Sequence, residues 1–70
     1  MNLNDVENAI QNKVGSEYIV FSRTVPEGVE VGINKPDGSG SLWSLLPIDD
    51  ERYPAFVDFM ARHFLKLYPK

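Results

Sequence analysis

The 70-residue chain contains no cysteine, which excludes a disulfide framework and any thiolate metal site. It has one histidine, His63, and a lone imidazole cannot supply the roughly four ligands that zinc takes. Long apolar runs are absent too, and nothing approaches the ~20 residues of a membrane-spanning helix. The opening stretch MNLNDVENAI places acid where a secretory leader needs basic residues, and it has no apolar core. Positive charge is scarce: seven Lys and Arg stand against ten Asp and Glu, a net charge of −3. That balance argues against general nucleic-acid binding, in which neutralised phosphates supply most of the affinity. The expectation is a cytoplasmic protein with no membrane contact, no metal and no cofactor. A chain of this size buries only about 60% of the surface that its unfolded form exposes. Its stability should therefore be a few kcal/mol, with a partner or a second copy as the available source of more.

What the sequence does hold reads as one small α+β domain over residues 1–70. Leu3, Val6, Ala9, Ile10 and Val14 recur at helical spacing, and Gly15 follows as a stop. A helix over about 5–14 is predicted, with Asn4 as its cap and Glu7 completing a variant of the capping box. Three strands follow at about 17–25, 29–34 and 41–46. A second helix over about 51–67 begins with Pro54 in its first turn and ends before Pro69. Its apolar stripe is Tyr53, Phe56, Val57, Met60, Phe64 and Leu67. The order α-β-β-β-α with short hairpins predicts a three-stranded antiparallel meander, flanked by N- and C-terminal helices that both cover one face.

The side on which each strand residue lies depends on two matching turns, Pro26-Glu27-Gly28 and Pro36-Asp37-Gly38. Proline presets φ for the first corner of a type I turn and glycine supplies the positive φ that leaves it, which together suggest three-residue loops with a bulge at glycine. That register sets Phe21 opposite Ile33, Val25 opposite Val29, Val31 opposite Trp43 and Val29 opposite Leu45. Trp43 then falls in the core with Ile19, Phe21, Val25, Val29, Val31, Ile33 and Leu45. A two-residue Asp37-Gly38 turn would instead put Trp43 outside, over Gly32, since a one-residue slip moves every side chain to the other face. Arg23 is the awkward member of the favoured arrangement: it shares the apolar face, and its guanidinium must reach water along its own stem or the register is different.

Chemistry is thin. His63 flanks the apolar stripe beside Phe56 and Phe59, with no nucleophile elbow around any serine. Asp49, Asp50 and Glu51, with Asp58 further on, match no calcium loop and are explained by the positive start of a helix. Gly38-Ser39-Gly40 lacks the Lys-Ser/Thr ending of a phosphate loop and joins two strands.

The element order resembles that of double-stranded RNA-binding domains, which grip backbone and 2′-hydroxyls across grooves. Those domains carry a basic cluster at the start of the second helix. Here that position reads Asp49-Asp50-Glu51-Arg52, the opposite sign, so the resemblance stops at element order.

The reading that remains is a non-enzymatic protein-binding or regulatory module that docks onto a protein partner, as a small inhibitor or accessory protein of a mobile element would. Phe59 and Leu65 fall outside the helical stripe, and Tyr18, Val20 and Leu42 fall on the sheet face expected to be open. These five are the candidate interface, with Phe59 as anchor. A homodimer is a second option, as is strand addition at the sheet edges. Two other classes stand as alternatives: a nucleic-acid binder using Arg23, Lys35, Arg62 and Lys66, or an accessory subunit completing an enzyme site with His63 as base.

Overall fold

The computed structural model, which describes residues 1–69, opens on helix α1, Leu3–Val14. Its cap is Asn2, not Asn4: the Asn2 Oδ1 accepts the Asp5 amide at 2.9 Å, and the Asp5 carboxylate accepts the Asn2 amide at 3.1 Å. This reciprocal pair starts the helix two residues earlier than expected and leaves Leu3 within it. Val6, Ile10 and Val14 are fully buried along one side, as their spacing requires.

Strands β1 (Ile19–Val25), β2 (Gly28–Asn34) and β3 (Ser41–Leu45) form an antiparallel sheet in the order β1-β2-β3. A short 3-10 turn at Asp50–Arg52 leads into helix α2, Tyr53–Leu67, with Pro54 in its first turn. The predicted α-β-β-β-α order holds. Buried residues of α1, α2, β2 and the segment before β1 form one core: Val6, Ile10, Val14, Tyr18, Val31, Ile33, Phe56, Val57, Met60, Ala61 and Phe64. Both helices therefore cover the same side of the sheet. Leu67, placed on the stripe by its spacing, is half-exposed at the helix end, and Ala61 takes a buried place instead.

The hairpins differ from the predicted ones in parity. Val25 pairs with Gly28, so Pro26 and Glu27 alone make the first corner. Gly28 is the first residue of β2, at φ 143°, and not part of the turn. Proline forbids the positive φ of a primed turn, and unprimed two-residue corners splay their strands; the glycine absorbs that mismatch. In the second hairpin the proline corner forms as expected, with the Gly38 amide donating to the Lys35 carbonyl at 3.0 Å and Gly38 at φ 76°. Pairing resumes one residue later than in a three-residue loop, because the Ser39 amide donates to the Asp37 carboxylate at 2.9 Å. Lys35 consequently meets Gly40, through its amide on the Gly40 carbonyl at 2.9 Å.

Each slip is one residue, and one residue inverts the faces. Phe21 lies opposite Gly32, Val20 opposite Ile33, and Gly32 opposite Trp43. The expected placement of Trp43, Phe21, Ile19 and Leu45 in the core is corrected: they share the side of the sheet that no helix covers. Val20, Val31, Ile33 and Leu42 face the helices.

Candidate functional site

The open side of the sheet carries a built aromatic cluster. Gly32 offers no side chain at the centre of β2, and Trp43 of β3 fills the gap, so near that a Cβ on residue 32 would stand 2.6 Å from the indole. Phe21 of β1 meets the indole edge-on, with ring centroids 4.6 Å apart. The Arg23 guanidinium lies over the indole, its Cζ 4.2 Å from the centroid. Glu30, across from Arg23 on β2, holds that guanidinium through its Oε1 at 2.8 Å from Nε. An aromatic pair of this geometry contributes about 0.5–1.5 kcal/mol beyond area burial, and a cation–π contact about 0.5–2 kcal/mol. The ion pair adds little, because the arginine is more than half exposed; its role is orientation.

Ile19 and Leu45 extend the cluster at either end, and both are about half exposed. Ile19, Phe21, Trp43 and Leu45 make a diagonal apolar band across three strands. Arg23 and Glu30 beside it cancel in charge, so the band is neutral on a protein of net charge −3.

The residues singled out from sequence lie elsewhere. Tyr18 is buried, its ring edge-on to Phe64 at 5.2 Å, which removes it as a surface anchor. Val20 and Leu42 are partly buried and pack on the core from the helix-covered face, and Leu65 packs on the core from α2. All four follow the inverted register or the helix rotation inward. Phe59 alone stays at the surface, 51% exposed, stacked nearly parallel on His63 with centroids 5.4 Å apart. It sits on the outer side of α2, across the molecule from the open sheet face.

The open-face cluster left two signals in the sequence: an arginine inside an otherwise apolar strand face, and a glycine in the middle of the central strand. Both fit the even-length loop and neither fits the odd one.

Among the described residues no three of His, Asp and Glu gather as a metal site would need. Asp49 makes no side-chain cap bond, and Asp50 and Glu51 sit in the 3-10 turn ahead of α2. Their contribution to the helix start is charge alone, without the hydrogen bond expected of a cap. No helix among the described residues is long and apolar enough to cross a membrane. Set beside known protein families, curated proteins and solved structures, the chain matches none of them.

Proposed function

We propose that this chain is a non-enzymatic, cytoplasmic regulatory module that docks onto another protein through the open face of its sheet. The supporting observation is the apolar band Ile19–Phe21–Trp43–Leu45, flanked by Arg23 and left uncovered by either helix. Trp, aromatic residues and Arg are the types that dominate binding energy at protein interfaces. The fitting occupant is an apolar, uncharged patch of a different protein, because the band has no net charge to offer. Size argues against a second copy. Three strands ~4.8 Å apart and ~20 Å long present a flat area on the order of 300 Å², well under the ~800 Å² per partner of a stable interface. A partner that also reaches around the rim meets that requirement.

The test is affinity capture from the native cell with the wild-type chain, Ile19→Asp/Leu45→Asp and Phe59→Asp. All three exposed positions tolerate charge without touching the core. The expected result is one partner held by wild type and by Phe59→Asp but lost with the double variant. Purified, that partner should then shift the emission of Trp43, the sole tryptophan, to the blue. Retention by the double variant overturns the reading, as does a concentration-dependent homodimer in light scattering that the double variant abolishes.

A further inference from the structure

We infer that the outer face of α2 is a second contact site, one that takes an acidic peptide segment of a protein partner carrying an apolar side chain. It does not depend on the open sheet face. Ala55, Phe59, Arg62, His63 and Lys66 line one shallow hollow of about 260 Å³. Helical spacing puts all five on one stripe. The hollow is smaller than the ~300–1,000 Å³ of small-molecule sites, and suits one or two side chains of a peptide.

Charge identifies the occupant. Within α2 two cations, Arg62 and Lys66, face a single carboxylate, Asp58. The rest of the chain has five cations and nine carboxylates. Positive charge is therefore concentrated where the protein as a whole is acidic. The one carboxylate is also engaged away from the hollow: Asp58 Oδ1 is 3.2 Å from Lys13 Nζ of α1. No acidic residue lines the hollow. One and two turns before these cations, Phe59 is half exposed with His63 stacked against its ring, so an apolar anchor sits at one end of the hollow and the cations at the other. An amphipathic segment with acidic residues around a leucine or phenylalanine complements both features. A nucleic acid would use only the cations, and the remaining acidity of the chain opposes it.

The experiment follows backbone amide shifts of the nitrogen-15-labelled chain. The probes are a peptide of about 14 residues with leucines at helical spacing and glutamates between them, the same peptide with every Glu replaced by Gln, and a single-stranded oligonucleotide of equal length. The acidic peptide should move the amides of Ala55, Phe59, Arg62, His63 and Lys66 and leave β1–β3 unmoved. Removing charge from either side, by the glutamine peptide or by Arg62→Ala/Lys66→Ala, should weaken binding roughly three- to tenfold, the scale of two exposed ion pairs. Phe59→Ala should weaken it as well. The glutamine peptide tests the charge argument without altering the protein at all. Equal binding of the two peptides, no shifts on α2, shifts on the sheet face instead, or displacement of the peptide by a lower concentration of oligonucleotide would each overturn the inference. Loss of the sheet-face partner would leave this result unchanged, so the two readings fail separately.

Discussion

Trp43 rests across Gly32, the two residues facing each other from neighbouring strands, with 2.6 Å between the indole and the place where a Cβ would stand. The ring supplies the side-chain cover that the glycine lacks, the pairing by which aromatic residues rescue glycine in a sheet. Gly32→Ala should accordingly push the ring off its seat and cost about 1–3 kcal/mol, the usual penalty of overpacking. In a Trp43→Ala background the same change has nothing to strike, and its cost should fall close to zero. Urea unfolding of the four chains in this cycle gives the coupling directly. Additive costs would mean that the ring does not depend on the glycine.

Two phenylalanines of α2 make the contrast between core and surface measurable. Phe64 is fully buried, edge-on to Tyr18 at 5.2 Å and against Tyr68 at 5.1 Å. Phe59 is half exposed on the other side of the helix. Phe64→Ala should cost about 3–5 kcal/mol. A chain of this length has only about 4–10 kcal/mol in total, so much of it should unfold at physiological temperature. Phe59→Ala should change stability by less than about 1 kcal/mol. Circular dichroism melts of the two variants settle the comparison, and similar melting points would contradict it.

The elements were legible because each carries a local signal: helical spacing in Leu3 to Val14, alternation in Val29 to Ile33, Pro54 at a helix start. The faces of the sheet were not, because they hang on the parity of two loops. That parity is decided by interactions too small to read from residue types. Ser39 belongs to the loop because its amide finds the Asp37 carboxylate, and Gly28 belongs to the strand because proline has already fixed the corner before it. One residue in each loop moved Trp43 out and brought Val20 and Leu42 in. On α2 the apolar stripe left Phe59 and Leu65 alike outside it, and periodicity alone did not separate them: Phe59 is exposed, whereas Leu65 packs on the core.

Arg23 and Glu30 predict an optical readout of the open face. The guanidinium covers the indole at 4.2 Å and is held there by the carboxylate at 2.8 Å. Arg23→Ala should uncover the ring, moving Trp43 emission to the red and costing about 0.5–2 kcal/mol through lost cation–π contact and stem packing. Arg23→Lys should recover only part of this, since a point charge does not stack as a planar group does. Glu30→Gln should have the smallest effect, because the ion pair is exposed and mainly orients the arginine. An unchanged emission maximum in Arg23→Ala would show that the guanidinium does not shield the ring.

The second hairpin should be sensitive to acid through Asp37. The Ser39 hydroxyl and then the Ser39 amide donate to its carboxylate, with a smaller contribution from the charge of Lys35, and together they hold Asp37 below the ordinary aspartate value against slight desolvation. A carboxyl whose folded value is depressed stabilises the fold only while ionised. Its contribution is complete above the unfolded value of about 3.9 and is lost as pH falls through the lower folded value. Asp37→Asn keeps an acceptor oxygen and removes the charge. The stability difference between the two chains should thus be constant from neutral pH to about pH 5, then shrink as pH falls through the unfolded value and on through the lower folded one. Measuring the difference cancels the other carboxylates, which titrate in both chains. The Ser39 amide should report the same event, its exchange with solvent accelerating over that interval in the wild type alone. A stability difference that does not change with pH would mean that the loop is closed by its backbone turn and not by the aspartate, and the explanation given above for the inverted sheet face would fall with it.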